Sequence, residues 1–307
     1  MSELLDRLRR TLSERYAMER QVGQGTAAVV YLAHDRKHDR QVAVKLLLPD
    51  LTSSISRDRF LREIQIAAKL SHPRIVPLHD SGVVDGLLYY VMPYVEGESL
   101  RDRLSRDKRL PLQEALRITR DVAGALDYAH ARDVVHRDIK PENILLQGGE
   151  AVVADFGIAR AMTIAGTNTV TKTGMTVGTP AYMSPEQGAG SRKLDGRTDL
   201  YSLACVLYEV LAGHPPFVGA TPQEILARHA LDPVPRLVAA RPDVPAGVEQ
   251  AVMKGLAKKP GQRFATVTEF AEALSGDHVP ARPAGPPGGL RRLWRALRET
   301  LRPEGDS

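Results

Sequence analysis

Two short runs of residues carry most of the chemistry that this sequence of 307 residues can be expected to perform. The first places a carboxylate, an ammonium group and an amide close together: His136-Arg137-Asp138-Ile139-Lys140-Pro141-Glu142-Asn143. The second is Asp155-Phe156-Gly157, which begins twelve residues after Asn143 and follows an apolar stretch. Carboxylate and amide oxygens suit a hard cation such as Mg²⁺. A carboxylate, a cation and metal ligands are the groups that phosphoryl transfer requires.

Two further features could hold phosphates. Gly23-Gln24-Gly25 lies between two strand-like segments, and glycines let backbone N–H groups approach a ligand closely. Taken alone this pair is a weak signal, because most such pairs are turns, and Ala28 stands where the pattern GxGxxG has its third glycine. Lys45 ends the apolar run 42–45. It could bind phosphate, or it could be a strand-edge lysine with its ammonium group in water.

In this order and spacing the motifs resemble the protein kinase family, most closely the eukaryotic-type (Hanks-type) serine/threonine kinases of bacteria, over about residues 16–275. The resemblance implies that Asp138 orients the substrate hydroxyl and accepts its proton. It implies that Lys140 offsets charge on the γ-phosphate of ATP. Asn143 and Asp155 would bind Mg²⁺, for which Mn²⁺ is an alternative.

The resemblance also implies a nucleotide site. Lys45 would bind the α- and β-phosphates and would be held by an ion pair with Glu63. Pro93 lacks an N–H group, but the hinge pattern takes a carbonyl from residue 93 and an N–H from residue 95. The ATP-binding residues implied in this way are Val22, Gly23, Gln24, Gly25, Val30, Ala43, Lys45, Glu63, Met92, Pro93, Val95 and Leu145.

The segment 178–186, Gly-Thr-Pro-Ala-Tyr-Met-Ser-Pro-Glu, resembles the part of a protein kinase that receives a peptide. Thr179 would bridge Asp138 and Lys140, and Lys140 together with Thr179 is the serine/threonine pattern. Asp199 and Arg263 match two structural anchors of the family, and Arg263 is expected to pair with Glu186.

The stretch between Asp155 and Glu186 is rich in hydroxyl groups: Thr163, Thr167, Thr169, Thr171, Thr173 and Thr176. One interpretation is a polar loop without a special role. The resemblance favours autophosphorylation at Thr171 and Thr173, which precede Thr179 by eight and six residues. A phosphothreonine would give the guanidinium of Arg137 a bidentate partner and would order the loop.

The elements that must position these residues fall into two groups. Apolar density predicts strands at 16–22, 28–34, 41–48 and 87–92 and a helix at 57–70, whereas helical spacing predicts helices at 112–131 and 198–211. Capping boxes predict further helix starts at Thr221 and Thr266, with Glu224 and Glu269 at the third helical positions. Cys205 is expected to be a core residue.

We therefore predict an α+β fold of the two-lobed protein kinase type, with a small β-rich N-lobe and a large helical C-lobe. The predicted boundaries are a flanking helix at 1–15, a kinase domain at 16–275 (N-lobe about 16–95, C-lobe about 96–275), a Pro/Gly-rich linker at 276–289 and a basic amphipathic tail at 290–307.

The net charge of +5 lies mostly in residues 290–302, where five arginines stand against Glu299. The remainder is close to neutral, so nucleic acid is not an expected partner. Leucines and Trp294 at helical spacing among those arginines favour weak contact with an anionic membrane, although a helix docked on the kinase body is an alternative. The N-terminal residues mix acids and bases and contain no apolar leader, so we expect a cytoplasmic protein with peripheral membrane association at most.

Three other functions are alternatives to an active kinase. A pseudokinase would normally have lost Lys45, Asp138, Asn143 or Asp155, and all four are present. A small-molecule phosphotransferase would lack the segment 178–186, whose presence argues for protein substrates with Ser/Thr acceptors. A membrane-associated scaffold would depend on the basic tail. A second copy of the chain is an expected partner during autophosphorylation.

Overall fold

The computed structural model describes residues 2–25, 28–48, 57–156 and 180–275. Its first part is a five-stranded antiparallel sheet in the order β1-β2-β3-β5-β4, flanked by two helices. The elements of this part are α1 (Ser2–Leu12), β1 (Tyr16–Gln24), β2 (Ala28–Asp35), β3 (Arg40–Leu47), α2 (Arg57–Ala67), β4 (Asp80–Val84) and β5 (Leu87–Pro93).

The two faces of this sheet bury different sets of side chains. Successive residues of a strand point to opposite faces. On β5, Tyr89 therefore belongs to the outer cluster, which Leu8 of α1 covers. Tyr90 belongs to the inner cluster, which contains Phe60 of α2. The inner cluster lies on the side from which Lys45 reaches the motif residue Asp155.

The second part of the structure is mainly helical. It begins with β6 (Glu98–Ser99), α3 (Leu100–Asp107) and α4 (Leu112–His130), followed by the hairpin β7 (Ile144–Gln147) and β8 (Glu150–Val153). After the undescribed stretch come α5 (Pro185–Gly188), α6 (Gly196–Ala212), α7 (Pro222–Leu231), α8 (Leu237–Ala240), α9 (Ala246–Gly255) and α10 (Val267–Ala273). Short 3₁₀ turns occur at Pro141–Asn143, Pro180–Tyr182 and Pro260–Gln262.

Helix α6 runs through the middle of the helical part. Every residue from Thr198 to Ala212 is buried, which explains why this segment is apolar on almost all sides. Cys205 lies within it, as predicted, and burial raises the pKa of its thiol. The helix therefore serves as a rigid support against which the loops of the helical part can be fixed.

The predicted α+β fold, with a β-rich and a helical part, is confirmed. The predicted strands and long helices are also found, with ends that differ by up to three residues. The capping boxes at Thr221 and Thr266 were predicted only half correctly. Each threonine does accept the expected backbone N–H, but Glu224 and Glu269 accept from the residue before the cap, Ala220 or Ala265. Within the described ranges, no helix combines the length and apolar character needed to cross a membrane.

Candidate active site

The loop that carries Asp138 is fixed by one buried carboxylate on α6. Asp199 accepts hydrogen bonds from the backbone N–H groups of His136 (2.8 Å) and Arg137 (2.7 Å). Its Oδ2 also lies 2.7 Å from Nε2 of His130. Burial acts to raise the pKa of Asp199, but His130 and the other hydrogen bonds outweigh it, so the pKa lies below its ordinary value. The carboxylate therefore stays charged and holds the loop.

His136 links this loop to the second motif. Its Nε2 lies 2.9 Å from the carbonyl oxygen of Ala154, and its ring meets that of Phe156 edge to face at 4.5 Å between centroids. Arg137 and Asp155 both have positive φ angles, 70° and 69°. Such angles are uncommon in residues other than glycine and concentrate at functional sites. Both motifs thus contain a residue in an unfavourable backbone conformation at the place where the motifs meet.

The predicted catalytic residues Asp138, Lys140 and Asn143 are in direct contact. Lys140 Nζ lies 2.7 Å from Oδ2 of Asp138, and the amide of Asn143 donates to the backbone carbonyl (2.8 Å) and to Oδ2 (3.1 Å) of Asp138. Burial acts to lower the pKa of Lys140, but Asp138 overcomes it and raises that pKa, so the ammonium group is retained. The side chain of Asp138 is 28% exposed and can be reached by a substrate.

Lys45 on β3 forms an ion pair with Asp155, whose other oxygen accepts a hydrogen bond from the hydroxyl of Tyr90 at 2.6 Å. Burial acts to raise the pKa of Asp155, but the charge of Lys45 and the two hydrogen bonds leave it below its ordinary value. Glu63 is buried on α2, with 7% exposure. Its ion pair with Lys45 stays a prediction.

A group of apolar side chains lies on the same face of the sheet as this pair. Five of the residues predicted to bind ATP belong to the inner cluster of the sheet or pack against it: Val30, Ala43, Met92, Val95 and Leu145. The strand register places Val30 opposite Lys45 and Ala43 opposite Met92, which is followed by Pro93 at the end of β5. Predominantly apolar surroundings suit a planar base.

The glycine-rich segment forms the end of β1, next to β2. Val22, Gly23 and Gln24 lie on β1, and Gly23 is opposite Val30. The N–H of Gly25 donates to the carbonyl of Ala28 (2.9 Å) and closes the turn. A Cβ added at Gly23 or Gly25 would meet no neighbouring atom closer than 3.8 Å. Backbone without a Cβ lets N–H groups approach the phosphates of a nucleotide closely, although a small side chain would also fit at both positions.

The oxygen ligands at the site also fit a hard cation whose remaining coordination positions are filled by the substrate. The described part of the chain contains no cluster of three or more His, Cys, Asp or Glu side chains that could hold a metal by itself. Asp155 and Asn143 would supply a carboxylate and an amide oxygen. Mg²⁺ is commonly held by one or two protein oxygens together with substrate phosphates and water.

The segment that begins at residue 180 is anchored to the helical part, including helix α6. Arg263 binds Glu186 through two parallel hydrogen bonds of 2.7 Å each, which confirms the predicted pair. The hydroxyl of Ser202 on α6 donates to the carbonyl of Tyr182 (2.8 Å). The predicted residues Gly157, Thr171, Thr173 and Thr179 lie outside the described residues.

Three residues at the site were not predicted from the sequence. Tyr90 contacts Asp155, His130 contacts Asp199, and the amide of Gln187 donates to the carbonyl of Arg137 at 2.8 Å. A hydroxyl within the apolar run Leu87–Met92 needs a hydrogen-bond partner when it is buried, but Tyr89 and Tyr90 share that signal. Nothing in the local sequence marks His130 or Gln187.

A carboxylate in contact with a lysine and an amide, a second carboxylate paired with a lysine, and a nearby group of apolar side chains are the parts of a nucleotide-dependent phosphotransferase. The chain belongs to the protein kinase family: the family model described as "Protein kinase domain" matches residues 16–274. Together with the bacterial relatives, this match confirms the resemblance to the Hanks-type serine/threonine kinases of bacteria.

Curated relatives agree with this assignment. The chain is 42% identical over 282 residues to the "Serine/threonine-protein kinase PknB" of Mycobacterium leprae, covering 90% of this chain and 45% of that protein. It is 41% identical to the PknB of Mycobacterium tuberculosis over 297 residues (94% and 46%) and 41% identical to the "Serine/threonine-protein kinase PknD" of that species over 261 residues (84% and 39%). The chain thus spans less than half the length of these relatives.

Proposed function

We propose that this chain transfers the γ-phosphate of Mg·ATP to serine and threonine hydroxyls of proteins. The observation that supports this most is the contact of Asp138 with both Lys140 and Asn143, beside the pair of Lys45 and Asp155. Mn²⁺ could replace Mg²⁺, since both cations accept oxygen ligands. The names of the relatives, together with Lys140 and the predicted role of Thr179, favour Ser/Thr acceptors.

In the proposed reaction the acceptor oxygen forms a bond to the γ-phosphorus while the bond from that phosphorus to the β,γ-bridging oxygen breaks. ADP leaves with the electron pair, and the hydroxyl proton passes to the Asp138 carboxylate. Lys140 offsets charge on the transferred group, and Lys45 holds the other phosphates. The cation, when bound by Asp155 and Asn143, neutralises charge on the phosphate oxygens.

The proposal is tested by incubating the chain with Mg·ATP and a generic protein substrate and mapping phosphosites by mass spectrometry. Asp138→Asn is the matched variant, because the amide keeps the shape but cannot accept the proton. We expect Ser/Thr phosphorylation with the wild-type chain and a large loss with the variant. Nucleotide binding without transfer would indicate a pseudokinase, and transfer only to small molecules would indicate the alternative phosphotransferase.

We further propose that the enzyme activates itself by phosphorylating Thr171 and Thr173, with a second copy of the chain as partner during that step. Arg137, whose N–H and carbonyl are both anchored, would be the partner of a loop phosphate. The double variant Thr171→Ala/Thr173→Ala should lose about tenfold or more in rate, because one charge-assisted hydrogen bond is worth roughly 1.5 kcal/mol or more. The rate is measured on a generic protein substrate after preincubation with ATP.

The matched control is Thr163→Ala/Thr167→Ala, which removes two hydroxyls of the same stretch further from Thr179. It should retain the wild-type rate. Full activity of the Thr171/Thr173 variant, or absence of phosphate on both residues after incubation with ATP, would disprove self-activation. The kinase assignment would survive either result.

For the basic tail we propose weak contact with anionic membranes from a cytoplasmic position, where ATP and protein substrates are present. Residues 290–302 lie outside the described residues, so the support comes from their arginines and leucines. Vesicles that contain phosphatidylserine should retain the protein at low salt and release it at high salt, as co-sedimentation would show. Deletion of 279–307 should abolish retention, and neutral vesicles are the control; equal retention with and without the tail would contradict the proposal.

A further inference from the structure

Tyr90 places a hydroxyl against the carboxylate proposed to bind the cation. The residue is fully buried, at 0% exposure, and its hydroxyl donates to Oδ1 of Asp155 at 2.6 Å. Buried tyrosine hydroxyls generally need a hydrogen-bond partner. Here the partner is a residue of the second catalytic motif, 65 positions along the chain.

The sheet register explains how the hydroxyl reaches this place. Strands β3 and β5 are antiparallel neighbours, and Tyr90 stands directly opposite Lys45. The ammonium group of Lys45 lies 5.8 Å from the centre of the Tyr90 ring. The two side chains converge on different oxygens of the same carboxylate: Tyr90 on Oδ1 and Lys45 on Oδ2.

Tyr90 is the donor in this hydrogen bond, because an ionised carboxylate can only accept. An ionised carboxylate offers about four lone-pair positions on its two oxygens. The hydroxyl occupies one of them on Oδ1 and leaves lone pairs of that oxygen available to a cation.

We propose that Tyr90 is a positioning residue for the divalent cation: its hydroxyl fixes the orientation of the Asp155 carboxylate toward the metal. This inference depends on the proposed role of Asp155 as a metal ligand. Asp155 has a positive φ angle of 69°, a backbone conformation that persists only where the surrounding contacts hold it. Groups that hydrogen-bond to metal ligands typically change metal affinity by about 10- to 100-fold when removed.

The test is direct binding of Mn²⁺ to the full chain with saturating ADP, with free Mn²⁺ measured by electron paramagnetic resonance. Tyr90→Phe removes only the hydroxyl and should raise the Kd for Mn²⁺ about tenfold. In kinase assays the concentration of free Mg²⁺ that gives half-maximal rate should rise by a similar factor. The rate at saturating Mg²⁺ should change much less, because the ligand itself is still present.

The matched control is Tyr89→Phe. Tyr89 is the adjacent residue on β5, is 8% exposed and packs in the outer cluster on the opposite face of the sheet. This variant removes a hydroxyl from the same strand at a distance from Asp155, so its Mn²⁺ affinity should equal that of the wild type. Thermal unfolding without metal shows whether either variant has lost stability.

Asp155→Asn distinguishes a failure of the proposed metal role of Asp155 from a failure of the positioning role of Tyr90. If wild type and Asp155→Asn bind Mn²⁺ equally, the proposed metal role of Asp155 is wrong. If Asp155→Asn loses the ion whereas Tyr90→Phe binds it with wild-type affinity, the metal role stands and the inference about Tyr90 is wrong. Tighter binding by Tyr90→Phe would also overturn it, since the hydroxyl would then compete with the cation.

Discussion

Replacing Asp155 by alanine is expected to reduce phosphoryl transfer by at least about a thousandfold while leaving the fold intact, because the phosphate charge loses the ligand that holds its counter-ion. Lys45 would lose its carboxylate partner at the same time and would no longer be fixed beside the phosphates. The measurement is the single-turnover rate with saturating Mg·ATP, alongside the circular dichroism spectrum and the midpoint of thermal unfolding. Lys45→Met should also lose activity, through misplaced phosphates.

Asp80→Ala provides a closely matched control. Asp80 on β4 likewise forms an ion pair with Arg15 (2.7 Å) and accepts a hydrogen bond from the hydroxyl of Tyr16 (3.0 Å). Both variants therefore remove a carboxylate that is held by one basic and one tyrosine side chain. Only the carboxylate of Asp155 adjoins the proposed phosphate site, so Asp80→Ala should transfer phosphate at nearly the wild-type rate. Wild-type turnover by Asp155→Ala would disprove the metal assignment.

The sequence was most informative where chemistry and chain order coincide. The residues from His136 to Asn143 are adjacent in the chain, so their mutual contacts follow from local backbone geometry. For Lys45 the sequence was less informative, because its apolar strand left two interpretations open and the resemblance gave it Glu63 as its partner. Its contact with Asp155 brings together residues 110 positions apart.

Tyr90 shows what the sequence could not determine. Its position opposite Lys45 depends on the register between β3 and β5, and a shift of one residue would place Tyr89 on the inner face instead. Both are tyrosines in an apolar run, so composition does not distinguish them. The choice is made by the packing of the whole sheet, which no short window of sequence contains.

The helix caps show a finer limit. Thr221 and Thr266 were correctly recognised as caps, because a threonine oxygen three residues before a backbone N–H accepts from it. In a complete capping box the glutamate would accept from the N–H of the threonine itself. Here each glutamate accepts from the N–H of the residue before the threonine. Complete boxes occur instead at Ser99 with Asp102 and at Ser184 with Gln187. Glutamate can meet either of two neighbouring N–H groups, and the approach of the preceding chain selects between them.

A buried ion pair between Glu186 and Arg263 holds residue 186 against the helical part. We expect Glu186→Ala to lower the free energy of unfolding by about 3–5 kcal/mol, because it leaves a buried guanidinium without its counter-charge. The side chain of Arg263 is 0% exposed, and that of Glu186 is 13% exposed. Burial acts to raise the pKa of Glu186, but Arg263 outweighs it and lowers that pKa, so the carboxylate is charged. Urea unfolding at neutral pH measures the change.

Glu98→Ala is the control, since it breaks a pair with the same two-pronged geometry on the surface. Arg106 binds Glu98 through hydrogen bonds of 2.6 and 2.9 Å, with side-chain exposures of 57% and 31%. Water solvates both groups after the pair is broken, so this variant should lose less than about 1 kcal/mol. Glu186→Gln, which keeps an acceptor for Arg263 and Thr198 but not the charge, should fall between the two. Equal losses for Glu186→Ala and Glu98→Ala would show that burial of the Arg263 guanidinium does not determine the strength of this anchor.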